Sequence, residues 1–204
     1  MKKFIIAATV ASILTGCSSD SVEKALLTDL SQSQAEQAAK TVVDATSLIV
    51  SDILEQCNFN YDPANDCAIN GKIYTPSSSL IKFDDKQIGI DNFEDLNLKV
   101  SYNQAEQVIT LTSDNSGKYL QYDNNLQTSY SSEGDLDHKL VINVAGLATD
   151  SILVNLDAQN IMELEGDSET FRSFAENVSY DSNSQRIKGK ITIKTQDSDR
   201  DFDL

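Results

Sequence analysis

Tryptophan is absent from this chain of 204 residues, which also holds only two prolines, eight glycines, two methionines and one histidine. So little proline and glycine excludes a collagen-like or low-complexity chain. The lone histidine, His138, excludes a zinc centre built on paired imidazoles. Standing just before an apolar run, it reads as a surface side chain rather than a general base. Cations are scarce as well: 16 Lys and Arg stand against 32 Asp and Glu, for a formal charge of -16. Phosphate backbones bind through the cations that neutralise them, so nucleic acid is excluded as a partner. Past the N-terminal stretch no apolar run reaches the length of a membrane-spanning helix, and no Gly-x-Ser-x-Gly nucleophile elbow occurs. What the chain does have is 40% hydrophobic and 24% charged residues, which suits one domain with a buried core.

The N-terminus carries a targeting signal. Lys2 and Lys3 form a basic start, and Phe4 to Leu14 is apolar but too short to cross a bilayer as a helix. The segment closes in Leu14-Thr15-Gly16-Cys17, which resembles the lipobox of bacterial lipoproteins. The resemblance implies cleavage after residue 16 and acylation of Cys17, with palmitate-type chains on its sulfur and its new amino group. Three chains exceed the two membrane signals that stable anchoring requires. Residues 17–33 are then the lipidated cysteine and a tether. The residues after Cys17 are Ser18, Ser19 and Asp20. By the same resemblance, a serine rather than an aspartate in the first of these places implies the outer membrane, with the domain on its periplasmic side.

Two cysteines remain, Cys57 and Cys67, an even pair in an oxidising compartment. Their spacing fits neither a C-x-x-C redox motif nor a four-ligand zinc site, and the intervening residues are turn-forming, so a structural disulfide is expected.

The body of the chain reads as helix first, then sheet. Ser33 with Glu36 reads as a capping box. Apolar residues follow at helical spacing from Ala35 through Ile49 and Ile53 to Cys57, opposite Asp44, Ser47, Ser51, Asp52 and Glu55. This predicts an amphipathic helix over residues 34–56 with a solvated polar face. A brief helix is expected over Val22 to Leu30, and a second short one over Glu169 to Asn177. From residue 69 the period changes to two, as in Leu96, Leu98, Val100 and Tyr102, in Leu140, Ile142 and Val144, in Ile152, Val154 and Leu156, and in Ile187, Ile191 and Ile193. Polar clusters such as Ser113-Asp114-Asn115-Ser116-Gly117 separate the runs. The expected fold is α+β over residues 34–196, one N-terminal helix on a curved antiparallel sheet of about eight to ten strands, half-barrel or sandwich-like, with residues 197–204 an acidic flexible tail.

Eight strands at roughly 4.8 Å each span about 38 Å, whereas a helix covers about 10–12 Å. The rest of the apolar face must curl over, be covered by loops, or stand open as a groove. A lipid-anchored helix and curled sheet is similar in architecture to the half-barrel lipid- and lipoprotein-carrier proteins of bacterial envelopes. That likeness implies an apolar ligand in the concave face as the alternative to a non-enzymatic binding or scaffolding role in the envelope.

The catalytic and metal candidates fail on spacing. Ser79-x-x-Lys82, Ser113-Asp114-Asn115 and Lys194-Thr195 resemble the motif set of active-site serine β-lactamases and penicillin-binding proteins, but Gln196 replaces the required Gly. Asp84, Asp85, Asp91, Glu94 and Asp95 cluster, as do Asp197, Asp199, Asp201 and Asp203. Counted from Asp84, an EF-hand loop would place Lys86 and Ile88 in ligand positions, so both clusters read as solvated charge. No enzyme activity, metal or cofactor is therefore expected. Against the general acidity stand Arg186, Lys188, Lys190 and Lys194, all predicted on the wet face of the last strand. They read as edge protection or cross-strand pairing, and alternatively as a docking stripe for lipid phosphates or an acidic partner.

Overall fold

The computed structural model describes residues 26–60, 62–77, 80–83, 86–91, 98–113, 116–121, 124–130 and 139–204. The signal segment, Cys17, Ser79, Asp84, Asp85, Glu94, Asp95, Asp114, Asn115 and His138 lie outside the described residues.

Helix α1, Gln32–Cys57, is longer than the spacing predicted by two residues at its start and one at its end. Its capping box is built on Ser31 rather than Ser33: Gln34 N–H donates to Ser31 Oγ at 3.2 Å, and Ser31 N–H donates to Gln34 Oε1 at 2.8 Å. At the other end Asn58 adopts the left-handed conformation and donates its N–H to Glu55 O, a stop that Asn tolerates better than most residues.

Among the described residues twelve strands form one antiparallel sheet: β1 Leu80–Phe83, β2 Lys86–Asp91, β3 Lys99–Asn103, β4 Val108–Thr112, β5 Ser116–Gln121, β6 Asn124–Ser129, β7 Lys139–Asn143, β8 Ile152–Leu164, β9 Asp167–Asp181, β10 Arg186–Lys188, β11 Lys190–Lys194 and β12 Asp199–Asp203. The sheet is curved and does not close into a barrel. Its spine is the long β8–β9 hairpin. The far edge of β8 pairs β7 through residues 153–157 and β6 through residues 159–162, so two arms leave it, β7-β4-β3 and β6-β5-β2-β1. The outer edge of β9 pairs β10 and β11, and β12 follows β11.

Three expectations are corrected. Residues Glu169 to Asn177 are not a helix but the middle of β9. Phe171, Ser173 and Ala175 alternate inward there, and pairing along β8 overrides the local helix preference of Glu, Arg and Ala. The acidic end is not a free tail, because β12 pairs every residue from Lys190 to Lys194 and Leu204 exchanges two backbone hydrogen bonds with Gly189. The described part of the tether is likewise docked. Leu27 and Leu30 are buried, Thr28 N–H donates to Thr170 O at 2.8 Å, and Arg200 reaches the carbonyls of Leu30 and Ser31. Residues 26–30 form a turn and extended chain rather than the brief helix expected there.

The largest departure concerns the polar side of α1. Every residue from 41 to 50 is buried, Asp44 and Ser47 among them. The curved sheet and residues 71–77 wrap around the helix, and the buried Asp44, Ser47 and Asp52 all find partners. Asp44 pairs with Arg186, Ser47 Oγ accepts from Ile187 N–H at 2.9 Å, and Asp52 accepts from Tyr74 Oη, from Ser77 N–H at 3.0 Å and from Gln56 Nε2 at 3.0 Å. Burial, reinforced by the adjacent Asp52 carboxylate, pushes the Tyr74 hydroxyl well above its ordinary pKa. Leu48, Ile49 and Ile53 face the sheet's inner residues Val100, Leu111, Ile142 and Leu156 in one continuous core. Each such side chain, fully removed from water, contributes about 1.5–3 kcal/mol.

Candidate functional site

Where its side chains are described, the concave face of the sheet packs on α1. Between Val42, Thr46 and Ile49 of the helix and the strands beneath lies a seam too narrow to admit a water molecule, with Thr128, Asn160 and Ser173 in its wall. These side chains satisfy one another: Thr128 Oγ1 donates to Asn160 Oδ1 at 2.9 Å, and Asn160 Nδ2 donates to Ser173 Oγ at 2.8 Å and Ala158 O at 3.1 Å. A seam this narrow, with Thr128, Asn160 and Ser173 already paired, is a packing feature rather than a groove for an acyl chain.

The four cations of the basic run are divided among partners. Gly189 splits the run into β10 and β11; its φ of 138° would strain any side chain, and a Cβ there would crowd Val178 at 3.1 Å. Arg186 folds back to Asp44 of α1, Lys188 pairs with Asp181, Lys190 with Asp201 at 2.8 Å, and Lys194 lies 4.9 Å from the centre of the Phe174 ring. Among the described residues β11, with Lys190 and Lys194, is not an edge, because it sits between β9 and β12, whereas β10 pairs β9 alone. The pairings are felt by the acids: the Lys188 hydrogen bond, helped by the N–H groups of Ser184 and Asn183, holds Asp181 below the usual carboxylate range. Asp201 is likewise lowered by Lys190 and Thr192, and Asp201 raises Lys190. Among the described residues no group of three or more His, Cys, Asp or Glu could hold a metal ion. Ser113 is buried with its N–H on Tyr130 O, and Lys82 lies in β1 rather than on a helix.

The disulfide joins Cys57 and Cys67, both buried. It closes the loop after α1, in which Phe59 packs against Tyr102 with ring centres 5.1 Å apart, Asn65 Nδ2 donates to Phe59 O at 2.8 Å, and Tyr102 Oη donates to Pro63 O. Closing a loop of this size contributes about 2.5–3 kcal/mol in the chain-entropy account. One wall of an open cleft is thereby held in place.

That cleft, of about 500 Å³, was not foreseen from the sequence. Ser51, Leu54 and Glu55 of α1, Asn58, Phe59 and Asn60 of the loop, Leu147 and the β9–β10 turn line it. Leu147 is placed by a short 3-10 turn, Leu147–Thr149, whose tightness depends on Gly146: a Cβ there would sit 2.2 Å from Ser151 O. Tyr180, 4% exposed, forms the floor and shares a hydrogen bond with Ser51. Burial first, then the carboxylates of Asp150 and Asp181, raise its pKa. The signals that could have located this cleft are weak ones, an Asn-Phe-Asn sequence at the end of a helix and a Gln in a hairpin turn. All three amide residues, Asn58, Asn60 and Gln185, stand at positive φ.

No protein-family model, curated protein or solved structure matches the chain.

Proposed function

We propose that this chain is a lipoprotein acylated at Cys17, held at the periplasmic face of the outer membrane, and that its domain binds or scaffolds an envelope partner rather than catalysing a reaction. The Leu14-Thr15-Gly16-Cys17 motif supports the anchor. The observation that carries binding over transport of an apolar ligand is the burial of residues 41–50 of α1 within the curved sheet. The helix occupies the volume in which a half-barrel carrier would hold its cargo, and recognition falls to the outer surface and the open cleft. Among the described residues no helix is long and apolar enough to cross a membrane, which leaves membrane attachment in this reading to the acyl chains.

Two measurements test it. Metabolic labelling with an alkyne fatty acid should mark the protein, and Cys17→Ser should abolish the label; a retained label would overturn the anchor. Native mass spectrometry of the protein purified from envelopes should then show no bound lipid beyond its own acyl chains. A stoichiometric extra lipid would favour the carrier reading.

A further inference from the structure

We propose that the cleft at the C-terminal end of α1 is a recognition pocket for a positively charged side chain, an arginine or lysine carried by an extended segment of a partner protein. The proposal rests on the binding role above and names the chemistry of the partner. Among the described residues, the side chains of Glu55, Asn58, Asn60, Ser182 and Gln185 converge on the cleft without a hydrogen bond or ion pair of their own. Several amides elsewhere are committed: Asn65 binds Phe59 O, Asn70 accepts from Tyr102 N–H, and Asn103, Asn143 and Asn155 each accept from a nearby backbone N–H, whereas the side chains of Gln107 and Asn183 in other turn positions are as free as those of the cleft.

The electrostatics select the sign of the guest. Among the described residues no Lys, Arg or His lines the cleft, and Glu55 is its one acid. The last turn of α1 holds no basic residue to offset the negative end of the helix dipole. Asp150 and Asp181 lie close enough to act on the Tyr180 hydroxyl in the floor. A phosphate or carboxylate would meet repulsion from Glu55 and from the negative end of the helix, whereas a guanidinium or ammonium would gain charge-assisted hydrogen bonds from Glu55 and from the amide carbonyls. The volume of about 500 Å³ falls within the range of roughly 300–1,000 Å³ typical of ligand pockets. This exceeds one cationic head group. Leu54, Phe59 and Leu147 can take the apolar stem, and Asn58, Asn60 and Gln185 offer both donors and acceptors to a peptide backbone.

The test is isothermal titration calorimetry on the full protein purified in detergent, at about 150 mM salt so that long-range attraction to the acidic chain is screened. The probe is N-acetyl-Gly-Arg-Gly-amide, with its citrulline counterpart as the uncharged isostere and agmatine as a guanidinium without a peptide. The arginine peptide should bind saturably at one site, and the other two at least about ten-fold more weakly. Glu55→Gln should weaken the arginine peptide about ten-fold and Asn60→Lys should abolish its binding. Glu163→Gln, which removes the same charge at the far end of β8, should leave it within about two-fold. Equal binding of the citrulline peptide, equal loss in Glu55→Gln and Glu163→Gln, or no saturable heat would overturn the pocket, and equal binding of agmatine would overturn its assignment to a peptide. An envelope partner that still crosslinks to Asn60→Lys would leave the scaffolding role standing while the pocket falls.

Discussion

The polar side of α1 meets two fates along its length. In the middle of the helix Asp44 and Ser47 are enclosed and each is matched to a group on β10, an ion pair to Arg186 and a hydrogen bond from Ile187 N–H. About two to four turns later the side chains of Glu55 and the capping Asn58 face the cleft and are matched to nothing among the described residues. A polar residue inside a protein needs a partner because its unmet hydrogen bonds cost free energy, whereas at the surface water meets them. The first group therefore holds the fold and the second is available to a ligand.

Mutation should separate the two groups. Asp44→Ala leaves the Arg186 cation beside the core, and a fully enclosed pair broken this way costs about 3–5 kcal/mol. Here Arg186 retains 26% exposure, so water recovers part of the loss, and chemical denaturation should show a stability drop of about 2–3 kcal/mol. Ser47→Ala orphans the Ile187 N–H and should cost about 1–2 kcal/mol by the same measurement. Glu55→Gln and Gln185→Ala, by contrast, should change stability by less than about 0.5 kcal/mol. A cost from either cleft variant as large as that of Ser47→Ala would erase the distinction.

The smallest expected effect lies on the outer surface. Asp181 and Asp201 have folded-state pKa values below their unfolded value of about 3.9, so their contribution is complete above that pH and is lost as the pH falls below it. Lys190 is raised, so its contribution is complete below about 10.4 and is lost as the pH rises past that value. Thermal melts should therefore be flat between these limits on account of these groups. Lys188→Met should reduce the acid-side slope, and an unchanged slope would show that the Asp181 pairing does not persist in solution.

Much of this was legible in the residues. Period-two runs such as Val100, Tyr102 and Ile152, Val154, Leu156 marked strands, because alternation across a pleated sheet is a local property. The paired cysteines marked the disulfide for a similar reason, since a short turn-rich loop brings its own ends together. Residues Glu169 to Asn177 misled because their composition suits a helix, and only the distant β8 imposed the extended form. The acidic C-terminus misled likewise: alternating Asp suggests solvation, yet β12 buries its other face through Phe202 and bonds to β11. The cleft was invisible, being assembled from α1, the disulfide loop, the turn at Leu147 and the β9–β10 hairpin, segments spread along the chain from residue 51 to residue 185.

By itself the sequence determined the acidity, the lipobox-like N-terminus, the principal helix and the alternating strands, for these depend on residue type and on neighbours a few positions away. Tertiary structure decided which polar groups are buried and which stay free, because that depends on what the sheet brings against each side of the helix. Asp44 and Glu55 are both acids on the polar side of one amphipathic helix. Curvature of the sheet encloses the first beside Arg186 and leaves the second at the mouth of a cleft.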